Sequence, residues 1–276
     1  LLAAFTPLWI PTKLHRKFND GLCAMEAMIR RMVEERRTSS DQHDDVLTLL
    51  LAARDREGCL LSDTEIRDQL VTLLLAGHET TANALTWTWF LLSQFRSVRE
   101  RLTEELNEVL GDRLPTTAEV PRLRYAKMVW EESLRLYPPA WSLHARIAQA
   151  EDRLPSGAIL PARACVFISP WSLHRNARWF PDPHRFDPER FSEEAKRTHT
   201  PYSYIPFGAG GRRCLGEAFA ELEGLLILAT IASNVHLRLV EGQTIQPEPA
   251  ITLRPPVPVQ MTIQRAGITA PHPAVA

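Results

Sequence analysis

The chain of 276 residues is 45% hydrophobic and 24% charged, enough to bury a core and to build one large domain or two ordinary ones. Its formal net charge of −1 gives no electrostatic ground for nucleic acid or an acidic membrane surface as a partner, and no run of about eighteen apolar residues offers a membrane span. Cys23, Cys59, Cys165 and Cys214 make no C-x-x-C pair, which excludes zinc-ribbon and thioredoxin-type chemistry and points to reduced thiols in the cytoplasm; all but Cys214 read as bland buried residues.

The first residues, Leu1 to Pro7, carry neither an initiator Met nor the basic region of a signal peptide, so a truncated or partial sequence is expected. The first hundred residues read as helix. A proline-free segment from Phe18 to Arg37 ends in the polar stretch Thr38 to Asp45, and a short run from Val46 to Arg54 precedes a turn at Glu57-Gly58. Ser62 and Glu65 form a capping box. It opens a long central helix over about 63–95, since no proline follows until Pro115. From Leu70 to Trp89 that helix is apolar nearly all round, which predicts a place in the middle of the protein.

A charged helix spans Arg99 to Leu110 and ends at Gly111, and another spans about 125–137, stopped by Pro138-Pro139. The texture then changes. Ile159 to Ser169 is strand-like. Phe180 to Phe191 is an irregular segment anchored by the recurring aromatics Phe180, Phe186 and Phe191. A further apolar helix is expected over about 214–232, and Ile251 to Ile263 reads as short strands broken by prolines. The last residues, Gly267 to Ala276, read as frayed.

The densest chemical signal is Phe207-Gly208-Ala209-Gly210-Gly211-Arg212-Arg213-Cys214-Leu215-Gly216. Three glycines before one cysteine permit a tight turn with positive φ, whose N–H groups can point at the sulfur. The helix expected to begin at Cys214 adds its N-terminal dipole. Both effects favour the thiolate, the form that binds metal. Gly216 removes a side chain where a flat cofactor needs close approach, and Arg212 can neutralise a carboxylate. The plain alternative is a glycine-rich turn holding a buried cysteine and two surface arginines.

Three other segments stand out. Ala76-Gly77-His78-Glu79-Thr80-Thr81 places polar groups inside an otherwise apolar helix, at a cost in propensity and desolvation. A function accounts for that cost; a packing glycine with self-satisfied threonines is the alternative. Glu132-Ser133-Leu134-Arg135 puts an acid and a base three apart on one helix face, which alone is usually a surface pair. The last is Pro188-Glu189-Arg190-Phe191.

Together these four segments resemble the cytochrome P-450 family. Its haem signature F-x-x-G-x-R-x-C-x-G runs from Phe207 to Gly216, and its oxygen-activation motif A-G-x-[DE]-T-[ST] from Ala76 to Thr81. E-x-x-R and the arginine of the Pro188–Phe191 segment follow the family's order. The resemblance implies a fold that is mainly α with small β-sheets (α+β): its C-terminal part, as a single partial domain over 1–276, with the N-terminal part absent. It implies haem b (iron protoporphyrin IX) with Cys214 as metal ligand, contacted by Phe207, Gly210, Arg212, Gly216 and Gly77. Arg146, or His144 by a shift in alignment, would be a second propionate partner. Glu79 and Thr80 would organise protons for dioxygen scission, and Glu132, Arg135 and Arg190 would form a buried brace. Trp141, Ser142 and Leu143 would face the distal pocket, and His78 would not ligate iron.

The implied activity is a monooxygenase that oxidises a small organic, apolar substrate with dioxygen and electrons from a separate donor, a ferredoxin or flavin reductase. The apolar character of Leu73, Ala76, Ala140, Trp141, Leu143 and the Pro255–Val257 stretch carries the substrate reading. Alternatives are a haem-thiolate isomerase, a peroxygenase, a ligand sensor, or an inert fragment. The Glu79-Thr80 pair speaks against the first two, which have less use for proton delivery.

Overall fold

The computed structural model describes residues 10, 12–41 and 43–265. The expectations for residues 1–7 and 267–276 lie outside the described residues. The chain divides into two compact units, residues 1–78 and 79–276.

In the first unit, α1 (Lys13–Thr38) begins where Thr12 accepts the His15 N–H at 3.0 Å, five residues before the expected start. α2 (Val46–Ala52) is capped by Asp45, which accepts the Thr48 N–H at 3.0 Å and is gripped by both Arg36 guanidinium nitrogens at 2.6 and 2.7 Å. Ile29 and Val33 of α1, Leu47 of α2 and Ile66 make a small core. α3 (Asp63–Gln94) opens on the capping box: the Ser62 N–H donates to Glu65 Oε2 at 2.8 Å, and the Glu65 N–H donates to Ser62 Oγ at 3.3 Å.

Two expectations are corrected. The middle of α3 is not buried all round, because Leu73, Leu74 and Leu75 are 37%, 43% and 62% exposed. Burial on α3 falls at Ile66 in its first turn and again after Thr80, where Trp87 and Leu92 are almost fully enclosed; an apolar turn between them stays wet where no neighbour packs on it. Cys23, Cys59 and Cys165 are likewise exposed, on a helix surface, a turn and a short strand, rather than buried.

In the second unit the last turns of α3 pack with α4 (Arg96–Val109), α5 (Arg124–Leu136) and an apolar helix near the C-terminus around one core that includes Leu102, Leu106, Val129, Trp130 and Leu228. Glu105 of α4 caps α5, its two carboxylate oxygens accepting the N–H groups of Tyr125 and Ala126 at 2.6 and 2.9 Å, which satisfies donors that a helix start leaves open. The chain then makes β1 (Leu143–Ile147), β2 (Asp152–Arg153), β3 (Ile159–Leu160) and β4 (Cys165–Ile168), paired antiparallel as β1 with β4 and β2 with β3. Two single-turn helices follow, α6 (Pro170–Leu173) and α7 (Glu193–Lys196). Between them Phe180, Phe186 and Phe191 are each 2% exposed, so the proline-rich segment is nailed down by its aromatic rings.

The C-terminal helix is α8 (Glu217–Asn234), which starts three residues later than expected and feeds β5 (Val235–Leu239). α8 passes so close to α5 at Gly224 that a Cβ there would come within 2.6 Å of the Trp130 ring. β6 (Glu248–Pro249) and β7 (Leu253–Arg254) pair with each other, and β8 (Met261–Arg265) pairs with β5. The architecture is thus mainly helical with four two-stranded antiparallel sheets among the described residues.

Candidate haem-thiolate site

The cysteine loop is closed by a single backbone bond: the Cys214 N–H donates to the Phe207 carbonyl at 2.8 Å. Inside it Gly208 and Gly210 hold φ of +73° and +66°, where a side chain would strain the backbone, and Gly210–Arg212 forms one 3-10 turn. Phe207 is half-buried and packs on the core, while Arg212, Cys214, Leu215 and Gly216 are exposed. A Cβ on Gly216 would sit 4.0 Å from the Cys214 sulfur, so its absence keeps that side of the sulfur open. Because Gly216 serves as the cap of α8, the helix begins beyond the cysteine and not at it. The sulfur itself accepts no hydrogen bond among the described residues. The expected hydrogen bonds from turn N–H groups are therefore not made among the described residues, since the Cys214 N–H is spent on Phe207; the helix end begins beyond the cysteine but stays beside the sulfur through its cap, Gly216.

The start of β1 lies against this loop, since a Cβ on Gly208 would touch both Leu143 methyl groups at 4.0 Å. Arg146, three residues along the strand, is exposed and turns back to the His144 carbonyl at 3.4 Å; Arg212 is exposed as well. Arg213, by contrast, is tied to Glu217 in an ion pair.

Along α3, Gly77 and His78 are exposed, and a Cβ on Gly77 would meet nothing within 4 Å. Glu79 and Thr80 are half-buried. The Glu79 Oε1 accepts the Thr252 hydroxyl at 2.7 Å, and Asn83 donates to the same hydroxyl oxygen at 3.0 Å. Nothing in the sequence around Thr252 or Asn83 signals this link, which spans 173 residues. One turn further, the Trp87 indole N–H donates to the Leu253 carbonyl at 3.0 Å. Trp141, half-buried, donates to the Ala250 carbonyl at 2.9 Å, and the Leu253 N–H reaches the Pro139 carbonyl at 2.9 Å. The Pro139–Trp141 turn, the 250–253 segment and the Glu79–Trp87 stretch of α3 are thereby laced together.

The structure brings Glu132, Arg135 and Arg190 into one cluster. Glu132 and Arg135 are fully buried and bidentate, with Arg135 Nε to Glu132 Oε2 at 2.6 Å and Arg135 Nη2 to Oε1 at 2.8 Å. The rest of the guanidinium is spent on the carbonyls of His174 and Pro183, both at 2.8 Å, and of Arg185 at 3.2 Å. Glu132 Oε1 also accepts the Asp187 N–H at 2.9 Å, and Arg190 Nε stands 3.5 Å from it with no hydrogen bond among the described residues. Burial pushes the Glu132 carboxyl up, and the guanidinium of Arg135 pulls against it.

His174 was not singled out by its sequence context, a single His in Leu173-His174-Arg175 with no periodic pattern. It is fully buried, its Nε2 accepts the Ile205 N–H at 2.9 Å, and burial together with the nearby Arg135 charge lowers its pKa to about 3. Among the described residues its Nδ1 makes no well-formed hydrogen bond, although the backbone of Arg135 and Leu134 interacts with the ring. Through its carbonyl it meets Arg135 and through its ring it meets the strand of chain that enters the cysteine loop.

Among the described residues no group of three or more His, Cys, Asp or Glu could hold a bare metal ion. The donor set is one soft, exposed thiol, followed in the chain by Leu215 and Phe219, which are 91% and 70% exposed. Such a set fits a metal that arrives with its other donors in a flat apolar macrocycle, as haem does, with exposed arginines available for its carboxylates.

The comparisons agree. The family model for cytochrome P-450 matches residues 1–263. Cyclooctatin synthase of Streptomyces melanosporofaciens is 45% identical over 246 residues, covering 88% of this chain and 53% of the relative. Pentalenene oxygenase of Streptomyces avermitilis is 34% identical, covering 90% and 55%. Among solved structures, a retinoic-acid-bound cyanobacterial cytochrome P-450 superposes with a TM-score of 0.86 at 31% identity, over 93% of this chain and 59% of that one. The chain belongs to the cytochrome P-450 family, a family of haem proteins, and spans about half the length of the curated relatives it matches. No helix among the described residues is long and apolar enough to cross a membrane.

Proposed function

We propose that this chain is the haem-binding part of a monooxygenase that uses dioxygen and electrons from a separate ferredoxin or flavin reductase to oxidise an apolar organic substrate. The observation that carries the reading is the Cys214 loop: one exposed thiol, a hydrogen bond that fixes its backbone, and a glycine that clears the space beside its sulfur. Haem b bound there by the thiolate would supply the activation of dioxygen. Cys214 would hold the iron, Arg212 and Arg146 would meet the propionates, and Phe207, packed on the core, would keep the loop from collapsing. Glu79, with Thr80, would hold and release the protons that oxygen scission consumes. The Glu132–Arg135–Arg190 cluster would brace the loop from behind without touching the reaction.

The names of the relatives support the substrate class. Their names include cyclooctat-9-en-7-ol 5-monooxygenase and pentalenene oxygenase, which act on an alkenol and an alkene, and the half-buried Ala140, Trp141 and Leu143 are apolar in the same sense. The test is spectroscopic. Purified protein supplied with haem, reduced and exposed to carbon monoxide, should give the red-shifted band of a thiolate-ligated iron, and Cys214→Ser should lose it. A band of imidazole type, or one that survives in Cys214→Ser, would end this reading.

A further inference from the structure

We propose that Thr252 is the positioning residue for the Glu79 carboxylate, so that the C-terminal segment, and not α3 alone, sets where that acid delivers its proton. The inference rests on the proton-handling role of Glu79 given above. Glu79, Asn83 and Trp87 recur every four residues and so share one face of α3. All three bond to two consecutive residues: Glu79 and Asn83 to the Thr252 side chain, Trp87 to the Leu253 carbonyl.

A threonine hydroxyl has one proton to give. Asn83 donates to the Thr252 oxygen at 3.0 Å, which leaves that proton directed at Glu79 Oε1, 2.7 Å away. This is the ordinary length of a well-formed O–H···O hydrogen bond. The order of donation, Asn83 to Thr252 to Glu79, therefore runs one way. One carboxylate oxygen is pinned; the other has no hydrogen bond among the described residues.

The hydroxyl is mounted on a stiff seat. Thr252 is 7% exposed, its carbonyl accepts the Ala250 N–H at 3.2 Å, and the next residue is held on both sides, by Pro139 at its N–H and by Trp87 at its carbonyl. A carboxylate on a half-buried helix turn has several rotamers available. A fixed donor selects one of them.

The experiment labels the glutamate side-chain carboxyl carbons with 13C and assigns the Glu79 resonance as the one lost in Glu79→Gln. In haem-free protein, Thr252→Val is expected to move that resonance and Thr252→Ser to leave it in place; Thr252→Ala serves if valine does not fit. In the haem-loaded protein with a surrogate electron donor, Thr252→Val is expected to lower the fraction of reducing equivalents recovered in product by roughly tenfold, with recovery in Thr252→Ser and no further loss when added to Glu79→Gln. An unmoved resonance in a folded Thr252→Val or Thr252→Ala protein overturns the positioning role, as do additive losses in the double variant. A moved resonance with undiminished product yield leaves the positioning standing and overturns the proton role of Glu79, so the two failures are told apart.

Discussion

The cysteine loop and the Glu132–Arg135 cluster are both short polar segments in an apolar unit, and they are built in opposite ways. The loop keeps its reactive atom exposed, holds its backbone with one bond to Phe207 and uses glycines where a side chain would obstruct or strain. The cluster is fully buried, and every oxygen of Glu132 and every nitrogen of Arg135 is bonded. A group that must meet a ligand has to be left accessible; a charge taken out of water survives only when it is matched. Chemistry and stability are thus kept in separate residues.

That separation can be broken from either side. Arg135→Ala strands a buried carboxylate and is expected to cost about 3–5 kcal/mol, a large fraction of the stability of an ordinary domain, read as a shift in the denaturant midpoint. Next comes pH. His174 is neutral in the folded state down to about pH 3 because burial disfavours its charge, while in the unfolded chain it takes a proton below its ordinary value of 6.5. Between those values the unfolded state binds the extra proton, so stability is intact above pH 6.5 and falls with acidification. The slope should be about 1.4 kcal/mol per pH unit, approaching ~4 kcal/mol across the window. His174→Gln, which keeps an acceptor for Ile205, should flatten the slope; an unchanged slope would show that the ring is not the titrating group. Gly224→Ala, which drives a methyl into the Trp130 ring, is expected to cost about 1–3 kcal/mol by overpacking. At the other extreme, Cys214→Ser should shift stability of the haem-free protein by less than about 0.5 kcal/mol while abolishing thiolate ligation, which is the sharpest form of the contrast. A large loss of stability in Cys214→Ser would show that the loop is structural after all.

Much of this was legible in the sequence, and for local reasons. The capping box at Ser62, the proline stop after Tyr137, the glycine pattern before Cys214 and the aromatic anchors Phe180, Phe186 and Phe191 are all short-range signals read within a few residues. The E-x-x-R spacing placed Glu132 and Arg135 on one face, though only the fold shows that this face is dry. What stayed hidden was long-range or depended on neighbours. Thr252 lies in an unremarkable bend between β6 and β7 and acquires its partner only because the chain returns to α3. His174 is one of nine histidines, marked out by enclosure and not by spacing. The exposure of Leu73 to Leu75 is not written in the sequence, because apolar character records what a helix can bury and not what packs against it.

The missing side chain at Gly224 ties the two regions together. α8 leads out of the cysteine loop, α5 carries the glutamate and arginine, and the indole of Trp130 is seated directly on the bare backbone between them. Loop and cluster therefore share a common datum. A perturbation of one methyl's width at that point would press on both helices at once, though it touches neither the sulfur nor the arginine.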